Sequence, residues 1–204
     1  EAENFERMGL SAPRTDNQAN GDSREQPEQS AADGPVGAAP PVTIMEPYSE
    51  DYTMLRTWAL PSLLMVLERN THRAYPQDLS EIGLGAHVVE QSSTGDQNSR
   101  SSGNVDESEN TGVAEHQTVA GVLARTEASY EDAKGRLQAI ADSFGKTLET
   151  PATEHPTFID GRTAEVVLDG ESVGVVGEIH PKVLVEHDLE LPVAAFEFRL
   201  DGLK

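Results

Sequence analysis

Residues 161–181 read GRTAEVVLDGESVGVVGEIHP, and this stretch decides the fold. Residues 164–168 are rich in β-branched side chains, Asp169-Gly170 is a strong two-residue hairpin signal, and residues 173–179 carry the chain back as a second strand. Gly174 and Gly177 inside that second strand mark places where a neighbouring backbone comes close. His180-Pro181 then closes the strand, with Pro181 at the position where a short helix through Leu184 can begin. The unit is defined architecture, and it contains neither an evident nucleophile nor a metal cage.

Working outward, residues 41–46 read as a short strand. Leu60, Leu63, Leu64 and Leu67 fall on one helical face, with Pro61 at the start and Asn70 near the end. Residues 78–83, 118–123 and 193–200 read as further strands. Residues 130–144 predict a helix whose stripe is Tyr130, Ala133, Leu137, Ile140, Ala141 and Phe144. Ser129 and Asp132 form a capping box at its start and Gly145 stands at its stop. The expected fold class is α+β, with a mainly antiparallel sheet and flanking helices. Residues 15–41 and 90–115 are polar, and the SSTGDQNSRSSGN core of the second cannot bury enough to offset its ordering entropy. Both are expected to be disordered acidic insertions within one domain over residues 1–204, because each structured piece is too short to own a core.

The 204 residues carry 36 acidic against 15 basic side chains, a formal net charge of −21. Such charge opposes compaction by self-repulsion and keeps a protein soluble. With lysine confined to Lys134, Lys146, Lys182 and Lys204, the balance points to a salty cytoplasm, where screening shortens the reach of that repulsion. A surface this acidic is a poor independent binder of nucleic acid, since phosphate contact needs Lys or Arg. There is no cysteine, so disulfide and thiolate chemistry are excluded. No apolar run is long enough to span a bilayer and no signal peptide is visible, so a cytoplasmic location is expected. The chain opens on Glu1 in what reads as mid-segment, as expected of a piece of something longer.

The search for chemistry is mostly negative. Glu178, His180, Glu186 and His187 are near in sequence, but His180 ends a strand while the last two lie about two helical turns on; solvated or capping roles are expected, not metal ligation. No HExxH spacing, nucleophile elbow, phosphate loop or dinucleotide fingerprint occurs. Glu165 and Glu178 could form an acid–base couple, though solvated positions fit both better.

Residues 47–83, PYSEDYTMLRTWALPSLLMVLERNTHRAYPQDLSEIG, carry Ser49, Glu50, Asp51, Tyr52, Arg56, Pro61, Leu63, Leu64, Asn70, Pro76, Glu81, Ile82 and Gly83 in a pattern that resembles the β subunit of phenylalanyl-tRNA synthetase. Residues 156–181 add Gly161, Arg162, Ala164, Gly174, Gly177, Glu178, His180 and Pro181, and residues 192–198, PVAAFEF, complete it in the right order. The likeness is greatest to the archaeal and eukaryotic cytosolic form. It implies a class II synthetase-like, pseudo-catalytic domain with Arg56, Pro61, Glu81, Gly83, Gly161, Arg162, Gly177, Glu178, His180 and Pro181 as structural motif positions, without catalytic or metal-binding residues. It further implies an α subunit as partner in an α2β2 enzyme that charges tRNA with phenylalanine using ATP and Mg2+, with neither cofactor bound by this chain and tRNA reached only through the holoenzyme. In class II enzymes a strand arginine grips the α-phosphate. Here that strand reads Leu79-Ser80-Glu81-Ile82, and residues 174–181 likewise lack arginine. Neither serine nor histidine reproduces a guanidinium fork. The first-motif helix, editing region and metal ligands of the family are expected upstream of Glu1. Two other readings stay open: a domain that retains ATP or adenylate chemistry, and a stand-alone interaction module derived from a synthetase.

Overall fold

The computed structural model describes residues 2–10, 36–49, 53–89 and 112–204. In chain order its elements are helix α1 (Ala2–Arg7), helix α2 (Leu60–Arg69), strands β1 (Gln77–Val88) and β2 (Val113–Ala124), helix α3 (Tyr130–Ser143), strands β3 (Leu148–Glu149), β4 (Phe158–Leu168) and β5 (Glu171–Ile179), helix α4 (Pro181–Glu186), strand β6 (Val193–Arg199) and a 3-10 turn (Leu200–Leu203). The six strands form one sheet in the order β1-β2-β6-β5-β4-β3, and every neighbouring pair is antiparallel. The α+β reading with an antiparallel sheet and packed helices therefore holds.

The opening hairpin is β4–β5. Asp169 (φ 51°) and Gly170 (φ 85°) both adopt the left-handed conformation that a two-residue turn between right-twisted strands requires. Strand β5 then lies against β6, with Val175 opposite Glu197 and Gly177 opposite Ala195. The sheet buries both faces over its centre. On one side α2 seats Leu60, Leu64 and Leu67, joined by Phe5 of α1 and the following Met8, against Ala120, Val122, Val175 and Ala195. On the other, Ala133, Leu137 and Ala141 of α3 pack over Val166, Val176, Phe196 and Phe198. Burying such side chains stabilises by roughly 1.5–3 kcal/mol each for the larger ones, the main favourable term here.

Helix α3 starts as its sequence demands. Ser129 accepts from Asp132 N, and the Asp132 carboxylate accepts from Ser129 N, so two otherwise orphan donors are satisfied reciprocally. Replacing Ser129 by alanine is expected to lower stability by about 1 kcal/mol, measured as a shift in the urea midpoint with an unchanged slope.

Several local readings need correction. Residues 41–46 do not form a strand; they make only the isolated bridges Pro41–His87 and Thr43–Met54. Consecutive prolines at 40 and 41 supply carbonyls but no N–H groups, so Val88 N donates to Pro40 O without a full ladder forming. Phe144 leaves the apolar stripe and stands exposed at the C-cap of α3. The proposed insertions are too wide at their C-terminal ends. Residues 36–41 pack on the domain, Gly37 lying under the Trp58 ring with φ +84°, and Val113, Ala114 and Glu115 belong to β2. Gly112 is also described, accepting from Val89 N; residues 15–35 and 90–111, and Glu50, Asp51 and Tyr52 of the motif pattern, lie outside the described residues. Helix α1 was not anticipated, being too short to show a period, though its Phe5 and the following Met8 and Leu10 are buried.

Candidate functional site

The motif residues gather into two clusters on different parts of the sheet. The first surrounds the start of α2. Its N-cap, Ala59, has no side chain to offer, and Pro61 occupies the first turn. The cap comes instead from strand β6, 138 residues away: the Glu197 carboxylate accepts from Ala59 N at 2.8 and 2.9 Å and from Leu60 N at 2.9 Å. Strand β6 buries six consecutive residues, and its alternation turns Glu197 toward α2 with Val193 and Ala195. The helix dipole favours a negative group there. Burial opposes it and pushes the Glu197 carboxyl up to about 7, against the backbone donors at Ala59 and Leu60.

Beside this cap Arg56 is locked by a fork. Its Nε donates to Leu84 O at 2.9 Å, one terminal nitrogen donates to Ser62 Oγ at 3.1 Å, and the other to Glu81 Oε1. A Cβ added at Gly83 would fall on that guanidinium, so glycine is what lets Arg56 cross β1. Arg56, Pro61, Glu81 and Gly83 are therefore brought together as one brace between α2 and the edge strand. Lysine cannot span three acceptors. Arg56→Lys is expected to cost about 1–2 kcal/mol of stability, read from thermal melts as a lower midpoint.

The second cluster joins β4, β5 and the starts of α3 and α4. Glu178 accepts from Arg162 Nη1 at 2.5 Å and from Tyr130 N at 3.1 Å, so it caps α3 from the sheet as Glu197 caps α2. Gly161 takes φ +75° where the β4–β5 register slips, and a Cβ at Gly177 would lie 2.8 Å from the Phe158 ring and 2.9 Å from Arg162 O. His180 Nδ1 accepts from Lys182 N at 3.1 Å, capping α4 ahead of Pro181, which agrees with the capping role expected of it. Gly161, Arg162, Gly177, Glu178, His180 and Pro181 thus form the second set.

The acid–base couple does not exist. Glu165 pairs across from Val175 on the α2 side and accepts from Ser172 Oγ, while Glu178 faces α3. His187, expected to be solvated or a cap, is the C-cap of α4 through its backbone N–H, but its ring is fully buried and not solvated, with Nδ1 3.4 Å from Glu68 Oε2. Burial, aided by Arg7, holds His187 down at about 4 despite Glu68, so it is neutral near pH 7. Arg7 donates to Glu68 at 2.7 Å and to Glu186 O, tying α1, α2 and α4 together.

Sequence reasoning missed Glu197 and the pair formed by Trp58 and His155, whose ring centres lie 5.6 Å apart. His155 Nε2 sits 2.9 Å from Val36 O, and burial takes it down to about 4. A glutamate inside the apolar run of residues 193–198 was the available signal for the first; the second had none. Among the described residues no group of three or more His, Asp or Glu side chains is arranged to hold a metal ion.

Fold and clusters define an α+β domain whose charged motif residues pin helices to a sheet. The chain belongs to the family described as the phenylalanyl tRNA synthetase beta chain CLM domain, whose model matches residues 13–200. It is 66% identical over 203 residues to a phenylalanine--tRNA ligase beta subunit of Haloarcula marismortui, covering 100% of this chain and 30% of that protein. It is 54% identical over 204 residues to the subunit of the same name from Halobacterium salinarum, again with 100% and 30% coverage. A Thermococcus kodakarensis beta subunit is 37% identical over 167 residues, 80% of this chain and 26% of that protein. The chain thus spans less than a third of the length of these relatives. The salt-adapted reading of its acidity fits the halophilic sources among them. No described helix is long and apolar enough to cross a membrane.

Proposed function

We propose that this chain is a class II-like, pseudo-catalytic domain of a phenylalanine–tRNA ligase β subunit, and that it scaffolds an α subunit in a cytoplasmic α2β2 enzyme attaching phenylalanine to tRNA with ATP. The domain runs over residues 1–204, with residues 15–41 and 90–115 as insertions trimmed at their C-terminal ends. The observation that carries the reading is the fate of the sheet surface beneath α2. There Glu197 and Arg56 are spent on the chain's own backbone and on Glu81, and Trp58 and Phe158 are buried in the core on the same side of the sheet. A phosphate-gripping site needs a guanidinium free to donate to the ligand; here the nitrogens of Arg56 are already engaged by Leu84 O, Ser62 Oγ and Glu81. Magnesium does not fit either: Glu81, Glu178 and Glu197 already accept from Arg56, Arg162 and main-chain N–H groups. ATP and Mg2+ belong to the holoenzyme's reaction, and tRNA meets this acidic chain only through the assembly. The ten motif positions act as braces in this account, none of them catalytic.

The test is co-purification of full-length β with the α subunit from the same source at molar salt. A stoichiometric complex that charges tRNA with phenylalanine supports the scaffold. Charging by α without β leaves the interaction-module reading in its place.

A further inference from the structure

In a chain of net charge −21, an arginine has carboxylates to spare around it. Arg7, Arg56, Arg125, Arg136, Arg162 and Arg199 each hold an Asp or Glu oxygen. Arg69 and Arg73 do not; among the described residues neither guanidinium meets a carboxylate. Arg69 ends α2, and Arg73 lies in the turn that leads to β1. Glu68, next to Arg69 in sequence, is already taken by Arg7 at 2.7 Å. Residues 69–77, RNTHRAYPQ, contain no Asp or Glu at all. The dipole of α2 favours a cation in its last turn, which accounts for Arg69 but not for Arg73. The turn is also held rigid by its own groups. Asn70 Nδ2 donates to Val66 O at 2.7 Å, Arg73 N donates to Asn70 O at 2.9 Å, and Gln77 Nε2 donates to Asn70 O at 3.0 Å, fastening the turn to the start of β1. Arg73 Nε donates to Asn70 Oδ1 at 3.2 Å, so Asn70 sets the direction of this side chain while its two terminal nitrogens have no partner among the described residues.

Charge and polarity select the occupant. Arg69, Thr71, His72, Arg73 and Ala74 are exposed, and none is a large apolar side chain. The buried centre of a protein–protein interface is apolar, and this turn offers no such centre. Guanidinium groups with free forked donors suit phosphate oxygens, and a rigid turn loses little entropy in presenting them. Next along the chain, Asp78 holds Arg125 and Arg136, with Asp132 3.8 Å from Arg125, so the neighbouring charges balance and the surplus of the turn stands. We infer that Arg69 and Arg73 contact the phosphodiester backbone of tRNA when the assembled enzyme holds it, an assignment that rests on the role proposed above. Two such contacts are too few for this acidic chain to bind RNA by itself.

The experiment uses full-length β assembled with α and compares tRNA charging with phenylalanine-dependent pyrophosphate exchange, which needs no tRNA. Both are measured at the lowest salt that keeps the assembly intact. An Arg69→Ser/Arg73→Ser double variant is expected to raise the KM for tRNA about fivefold, and to make log KM depend less steeply on log salt by roughly one for each arginine. Pyrophosphate exchange, subunit stoichiometry and melting midpoint are expected to stay at wild-type values. Arg69→Lys/Arg73→Lys, which keeps both charges, is expected to retain most of the affinity. Lys182→Ser removes an exposed cation on α4 and is expected to leave the KM unchanged. An unchanged KM in the double serine variant overturns the assignment and leaves the scaffold standing. An equal rise from Lys182→Ser also overturns it, since the effect is then one of net charge. Loss of assembly, of exchange or of the melting midpoint in the serine variant makes the turn a structural or protein-binding element, and the assignment again fails. If wild-type β and α together charge no tRNA, the scaffold reading falls and takes this one with it.

Discussion

Replacing Glu197 by alanine is expected to lower the stability of the domain by about 3 kcal/mol at pH 7, the cost of leaving buried donors at a helix start unpaired. For a chain of this size that is a fall of ~10 °C in melting midpoint. Trp58, the only tryptophan of the chain, is buried next to the capped Ala59 and reports the transition by its fluorescence. The carboxyl also gives the effect a pH signature. Its folded value, about 7, lies above the ordinary 4.5, so the folded state holds the proton more tightly than the unfolded chain. That contribution is fully present below pH 4.5 and is lost as pH rises through 7, amounting to roughly 3 kcal/mol. Glu197→Gln, which cannot ionise, is expected to flatten this part of the profile between pH 5 and 8. A wild type and a glutamine variant with parallel profiles would mean that Glu197 is ionised throughout and that its two N–H donors, Ala59 and Leu60, outweigh burial.

Gly174→Ala is the second large effect. A Cβ at this position would lie 2.5 Å from the Phe198 Cα and closer still to the Glu197 carbonyl oxygen. The atoms in the way are backbone, so no rotamer change relieves the clash. Strands β5 and β6 would have to part in the middle of the sheet, where Gly174 pairs with Phe198. Destabilisation of more than about 3 kcal/mol is expected, enough to unfold a marginally stable domain. The check is the yield of soluble protein together with the near-ultraviolet circular dichroism of Phe and Trp. Because the same opening would drag Glu197 from its cap, Gly174→Ala combined with Glu197→Ala is expected to cost clearly less than the two single effects added.

What was legible in the sequence was what is local. Ser129 and Asp132 sit three apart and satisfy each other; Asp169-Gly170 contains its turn within two residues; Pro61 and the leucines after it carry the α2 face in one window. The ten motif positions could be named one by one, yet their grouping could not, because Arg56 meets Glu81 and Arg162 meets Glu178 only after the sheet has assembled. Glu197 was passed over for the same reason: a carboxylate looks misplaced in an apolar strand until its distant helix start is in view. Gly174 read correctly as a place of close backbone approach, but which backbone, that of Glu197 and Phe198, appears only in the fold, as does the Arg56 guanidinium that a side chain at Gly83 would strike. The polar start of β2 was read as insertion because a ribbon beyond the last shared strand does not need an alternating apolar face. Phe144 followed the helical period one residue past the point at which α3 ends.

Pyrophosphate exchange into ATP, dependent on phenylalanine, tests the central claim most directly. Full-length β, α, and the mixture are assayed side by side at molar salt. The account predicts no exchange with β alone and exchange whenever α is present. Exchange catalysed by β alone, at a rate abolished by changing Arg56, would contradict it, because that guanidinium would then be gripping a phosphate instead of bracing Glu81, Ser62 and Leu84.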